Sequence, residues 1–165
     1  MKKNIVNIIE RRPFLENWLI RNINNFEGSI KIEPIQGGQS NPTYLIKTAS
    51  KNYILRSKPL GKLLPSAHAI EREYLILRAL HQTKIPVPET HVLCEDPSIW
   101  GAPFYIMDFI EGRIFYDPAL PDLHKEERKE IYNAMIKVLA DLHSLDYKKL
   151  GLDDYGKKGS YVERQ

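Results

Sequence analysis

Two apolar runs, Thr43-Tyr44-Leu45-Ile46-Lys47-Thr48 and Tyr53-Ile54-Leu55-Arg56, stand four residues apart in the chain. The residues between them, Ala49-Ser50-Lys51-Asn52, suit a turn. A parallel pair of strands needs a crossover of about a dozen residues or more, so runs this close pair antiparallel. Upstream, Ile30-Lys31-Ile32-Glu33 alternates apolar and polar, as a half-buried strand does. The three runs together predict an antiparallel meander. Thr90 to Glu95 and Pro103 to Phe109 read as a second hairpin, joined by the turn-rich Asp96-Pro97-Ser98-Ile99-Trp100-Gly101. Cys94 falls in the apolar stretch HVLC and is expected to be buried.

Helical spacing accounts for most of the rest. After Pro13, apolar Phe14, Leu15, Trp18, Leu19 and Ile23 recur on one stripe, with Gly28 beyond the end. A second helix is predicted over 67–80, with Ser66 as its N-cap and Ile70, Tyr74 and Leu77 on its buried side. Ile85-Pro86-Val87-Pro88 forces an extended path after it. The longest helix is predicted over 125–145, with Ile131, Met135, Val138, Leu139, Leu142 and Leu145 as its apolar stripe. The tail from Asp146 is polar and glycine-bearing. At 165 residues the chain has the size of an ordinary domain.

Composition excludes several function classes. A net charge of +3, with lysines and arginines spread along the chain, gives no basic run to track a phosphate backbone, so no nucleic-acid partner is expected. One cysteine allows no internal disulfide, and with five scattered histidines it offers no zinc site. The N-terminal apolar run is broken by Asn7 and ends at Glu10-Arg11-Arg12, too short and polar for a signal peptide. No segment reaches the roughly 18 apolar residues of a membrane span. A cytoplasmic protein without a membrane partner is expected.

Three polar features fall at informative places. Gly37-Gly38-Gln39-Ser40-Asn41 lies at the tip between the first two strands. Two glycines let backbone N–H groups approach a phosphate, and Ser40 and Asn41 add donors, but the same residues also suit a plain mobile connection. Arg56 ends a strand on the side of Ile54, opposite Tyr53 and Leu55. A cation there needs a partner, unless it simply reaches water at the strand end. Glu73 lies almost one turn from Ile70, beside the buried stripe, while Glu71 and Arg72 point elsewhere. Arg56 and Glu73 are therefore plausible partners across strand and helix. His143 is read as packing or surface.

These stretches carry a resemblance. GGQSNPTYLI, YILRSKPLGKLLPSAHAIEREYLIL, IPVP, GAPFYIMDFIEGRIF, the helix ending LADLHSLD and the final SYVERQ resemble the aminoglycoside phosphotransferase/choline kinase-like family, a branch of the protein-kinase-like fold. Within it they are most similar to the subgroup with acyl-CoA dehydrogenase family members 10 and 11. The resemblance implies an α+β fold: a kinase-like N-lobe of about five antiparallel strands plus a C-type helix, over 1–109. A hinge and the first long helix of a truncated C-lobe then occupy 110–165. It implies that Gly37, Gly38, Gln39, Ser40 and Asn41 cover the ATP phosphates, although they depart from the G-x-G-x-x-G pattern. Arg56 takes the place of the strand lysine on the phosphates, Glu73 orients it, and Met107, Asp108, Phe109 and Ile110 form the hinge that meets adenine.

The intact family also uses an H-G-D-x-x-x-x-N loop and a later aspartate for Mg²⁺. No His-Gly-Asp occurs here, and His143-Ser144-Leu145-Asp146 has the wrong spacing. No catalytic residue or metal ligand is therefore assigned, and a nucleotide-binding lobe inactive by itself is expected. Its partners are expected to be ATP and a separate C-terminal lobe, or a second copy through the 125–145 helix. Two other readings stay open: a non-catalytic nucleotide-binding or regulatory module, and a degenerate gene fragment.

Overall fold

The structure is a computed structural model that describes residues 7–35, 41–61 and 68–156. The predicted Ser66 cap and Ala67 lie outside them. The described chain falls into two compact units, one of Met1–Arg78 and Pro88–Phe109, the other of Ala79–Val87 and Ile110–Gln165.

In the first unit, helix α1 (Ile8–Asn22) is followed by strands β1 (Lys31–Ile35), β2 (Thr43–Lys47) and β3 (Asn52–Ser57). Then come helix α2 (Ile70–His81), whose last three residues are counted in the second unit, β4 (Thr90–Cys94), the short helix α3 (Pro97–Trp100) and β5 (Phe104–Asp108). The sheet has five strands in the order β1-β2-β3-β5-β4, and every neighbouring pair is antiparallel. The predicted meander and second hairpin are both present. Edge strand β1 contains Pro34, and edge strand β4 has a register shift between Thr90 and Val92.

Period-two alternation divides the sheet's side chains between two faces. Ile32, Tyr44, Ile46, Tyr53, Leu55, Phe104 and Ile106 form one core with Leu15 and Leu19 of α1. Trp18 meets Phe104 edge-on at 5.3 Å, and Trp100 meets Tyr44 at 5.1 Å, both favourable ring geometries. On the opposite face, Ile70 and Tyr74 of α2 pack with Tyr105 of β5, flanked by Leu77, Leu93 and Met107. Cys94 is buried as expected.

Three local expectations need correction. Helix α1 starts at Ile8, not after Pro13, because Asn7 caps it: its side chain accepts from Glu10 N–H (3.4 Å), and Arg11 N–H bonds Asn7 C=O (3.0 Å). Pro13 thus sits inside the helix and removes one N–H from its ladder. Phe14 is exposed, so the buried stripe is narrower than its spacing suggests. The turn-rich Asp96–Gly101 holds helix α3: Asp96 accepts from Ser98 N–H (2.8 Å), and Gly101 closes it at φ 104°. That turn of helix places Trp100 fully in the core.

In the second unit, the longest helix is α4 (Lys125–His143), two residues shorter than expected, and none of its residues is buried. Met135 (60% exposed), Leu139 (52%) and Leu142 (39%) lie open. Lys137 and Asp141 pair at i,i+4 along it, and Arg113 pairs with Glu127 (2.7 Å). His143 is on the surface. Among the described residues, no helix is long and apolar enough to cross a membrane.

Candidate nucleotide site

Arg56 points to the α2 side of the sheet, as the alternation of β3 requires. Its Nε–H donates to Glu73 Oε2 at 2.6 Å. Its Nη1 donates to Thr43 Oγ1 at 3.2 Å, from the residue opposite it in β2. The side chains of Arg56 and Glu73 are only 28% and 35% exposed. Glu73 reaches the cation because it stands three residues after Ile70, near the edge of the face of α2 that meets the sheet.

Glu73 collects two further donors. Asn41 Nδ2 donates to its Oε1 at 2.7 Å, and the Tyr105 hydroxyl donates to its Oε2 at 3.2 Å. Asn41 is itself 3% exposed, and His68 Nδ1 lies 2.9 Å from its Oδ1. Thr43 Oγ1 donates back to Asn41 C=O at 3.2 Å. Burial, reinforced by the negative charge of Glu73, pushes the Tyr105 phenol well above its ordinary range, so it serves as a donor at any ordinary pH. A second ion pair, from Lys58 just past β3 to Glu71 at 2.9 Å, also ties α2 to this side of the sheet. Burial pushes the Glu71 carboxyl up, but the Lys58 hydrogen bond and charge outweigh it, and the net shift is downward.

Guanidinium carries five N–H groups. One reaches Glu73 and one Thr43, so three point elsewhere in a fixed plane. The pair is neutral overall, so any hold on an anion rests on these directed hydrogen bonds rather than on net positive charge.

Of the sequence-predicted residues, Asn41, Arg56 and Glu73 come together in this network. Gly37, Gly38, Gln39 and Ser40 lie outside the described residues. Met107 and Asp108 end β5, and Phe109 and Ile110 follow it. The Asp108 side chain is occupied on the other face of the sheet: Lys51 Nζ lies 2.7 Å and His91 Nε2 2.5 Å from its Oδ1. Burial pushes the Asp108 carboxyl up, but those hydrogen bonds outweigh it and hold it below its ordinary value, while Asp108 raises Lys51. On that face also lies a cavity of about 550 Å³, lined in part by Asn22, Asn25, Ser50, Lys51, Glu89 and His91. It does not include Arg56 or Glu73.

Sequence reading missed Thr43, His68 and Tyr105. Thr43 and Tyr105 stand opposite Arg56 in the two neighbouring strands, so strand register would have found them. His68 gave no local signal.

Residues 31–165 match the family described as Phosphotransferase enzyme family (APH). The chain belongs to this family. It is 52% identical over 140 residues to a probable acyl-CoA dehydrogenase, IBR3, of Arabidopsis thaliana, covering 82% of this chain and 17% of that protein. It is 49% identical over 138 residues to acyl-CoA dehydrogenase family member 10 of Mus musculus, covering 84% of this chain and 13% of that one. The chain thus spans less than a fifth of these two curated relatives, and the dehydrogenase in their names describes much longer proteins. A crystal structure from Ralstonia eutropha, described as an aminoglycoside phosphotransferase, superposes with a TM-score of 0.80 at 41% identity, covering 93% of this chain and 44% of that one. The five-stranded antiparallel sheet with α2 is the kinase-like N-lobe fold of the phosphotransferases.

Proposed function

We propose that the first unit binds ATP and that the chain supplies the nucleotide-holding part of a small-molecule kinase, one that transfers phosphate to an alcohol group. The observation that carries this is Arg56, fixed by Glu73 and Thr43 with three N–H groups in a defined plane. In a phosphotransferase a strand cation held by a helix carboxylate meets the α/β-phosphates. The neutrality of the pair means further phosphate donors are needed. Gly37, Gly38, Gln39 and Ser40, which directly precede Asn41, are the residues assigned that task.

Adenine recognition falls to the backbone at the end of β5. Lys58 N–H bonds Pro103 C=O (2.9 Å) and Phe109 N–H bonds Asn52 C=O (3.4 Å), which fixes the phase of the ladder. The Met107–Ile54 pair then exchanges its N–H groups within the sheet. Asp108 N–H goes to Glu89 C=O at 2.9 Å. The N–H groups of Met107, Asp108 and Phe109 are thus committed within the first unit, and Ile110, where the second unit resumes, follows them in the chain.

Mg²⁺ accompanies ATP in the family and would supply charge neutralisation on the phosphates. Among the described residues no group of three or more His, Cys, Asp or Glu comes together, and no residue is assigned to hold the ion. We further propose that these residues alone do not turn over substrate and act with a segment bearing the catalytic loop, in the same polypeptide or a separate one. Titrating the purified chain with a fluorescent ATP analogue tests the reading: binding is expected, and Arg56→Ala should weaken it at least tenfold. Nucleotide affinity unaffected by Arg56→Ala refutes the site. Robust ATP hydrolysis abolished by Arg56→Ala refutes the lack of turnover.

A further inference from the structure

His68 touches the Arg56–Glu73 network only through Asn41, and its backbone is unusual. It sits at φ 58°, in the left-handed region that non-glycine residues seldom occupy. The chain turns there, Ile70 N–H bonding His68 C=O at 2.9 Å, and α2 begins two residues later. A strained conformation persists where surrounding contacts over-determine it. The contact in question is Nδ1 to Asn41 Oδ1 at 2.9 Å, spanning 27 residues of sequence.

The hydrogen-bond chemistry is directional. Glu73 only accepts when ionised, so the Asn41 group facing it at 2.7 Å is the NH₂. Asn41 Oδ1 therefore faces His68, and His68 Nδ1 carries the proton that it donates. If Nδ1 were bare, two acceptors would meet, and Asn41 would turn over to present NH₂ to His68. Its oxygen would then face the Glu73 carboxylate. The tautomer of one histidine thus selects the orientation of a buried amide, and that amide holds the Glu73 oxygen not taken by Arg56.

We infer that His68 is a positioning residue for the nucleotide site. Through Asn41 it latches the start of α2 to the start of β2, and so holds Glu73 where it presents Arg56. This rests on the nucleotide reading above for its function, but not for its geometry.

Three variants separate donor from strain. His68→Asn keeps a donor at the δ position and tolerates positive φ. His68→Gly relieves the strain but removes the donor. His68→Gln moves the donor outward, to the ε position. Fluorescent ATP-analogue affinity should fall about tenfold in His68→Gly and His68→Gln, the scale of a lost hydrogen bond in a charged network. In His68→Asn it should stay within about threefold of the parent. Long-range ¹H–¹⁵N spectra of the full chain should show neutral His68 as the Nδ1–H tautomer. The Arg56 Nε–H resonance should keep its protection from exchange in His68→Asn and lose it in His68→Gly. A neutral Nε2–H tautomer, or Arg56 Nε–H protection untouched in His68→Gly, overturns the latch whether or not nucleotide binds. If the parent chain binds no analogue while both spectral results appear, the nucleotide reading fails and the latch stands as an organiser of the Arg56–Glu73 pair.

Discussion

Replacing Glu73 by alanine removes one acceptor from three donors at once: Arg56 Nε–H, Asn41 Nδ2 and the Tyr105 hydroxyl. A buried donor left unpaired costs about 1–3 kcal/mol. Asn41 and Tyr105 are almost fully buried and bear that cost, whereas Arg56 is partly open and finds water. The two together cost about 2–6 kcal/mol, or at least roughly 4 °C in melting temperature for a chain of this size. Glu73→Gln keeps the shape but not the charge. Whichever way its amide points, NH₂ meets a donor: Asn41 on one side, Arg56 and Tyr105 on the other. A loss of about 1–2 kcal/mol is expected for it. Urea unfolding followed by tryptophan fluorescence reads the relevant unit, because Trp18 and Trp100, the two tryptophans of the chain, both lie in the first unit. Exposed Glu95→Ala is the control and should stay within about 0.5 kcal/mol of the parent. A double-mutant cycle with Arg56→Ala should return a coupling of at least about 0.5 kcal/mol. If Glu73→Ala behaves like Glu95→Ala, or the cycle shows no coupling, the account of this network is wrong.

Other expectations concern the rest of the fold. Asp108, held below its ordinary value by Lys51 and His91, stabilises the fold above the unfolded carboxyl pKa of about 3.9 and loses that contribution as pH falls through its lower folded value. The stability gap between the parent and Asp108→Asn should therefore be largest near neutral pH and shrink below about pH 4; a gap that persists unchanged at pH 2.5 contradicts it. Lys51, raised by the same pair, loses its contribution at the alkaline end, as pH climbs through a value above the unfolded 10.4 or so. Leu15→Ala empties a fully buried position between α1 and the sheet and should cost about 2–5 kcal/mol in the same urea assay; under 1 kcal/mol would show the core to be loose there. The open apolar residues of α4 are expected to drive self-association, which light scattering should detect and Leu139→Lys should reduce. A clean monomer for the parent chain contradicts that expectation.

Much of this could be read from the sequence because it rests on periodicity. Alternation at two placed Arg56 opposite Tyr53 and Leu55, and the helical turn from Ile70 placed Glu73 beside the stripe. The pairings β1-β2, β2-β3 and β4-β5 followed from short connections, whereas β3-β5, which joins meander to hairpin, links strands far apart in the chain. What escaped reading depends on partners far apart in the chain or on single residues. The start of α1 turned on one side-chain cap at Asn7, against the contrary signal of Pro13. Helix α3 is one turn long and looked like a loop. His68 finds its partner 27 positions away and through a backbone conformation that no sequence pattern announces. Asp108, read as a hinge residue, also carries a side chain that joins Lys51 and His91 on the far face, which no local pattern showed.

The two margins of the sheet have a consequence for crowding. A bare strand edge offers a row of N–H and C=O groups on which another chain can add a strand. On β1, Pro34 carries no N–H, and Lys31 and Glu33 set charges beside it. On β4, five residues long, the register shift between Thr90 and Val92 breaks the regular spacing that an incoming strand would need. Neither border is a good template. Copies of this chain held at high concentration should therefore resist fibril growth by strand addition.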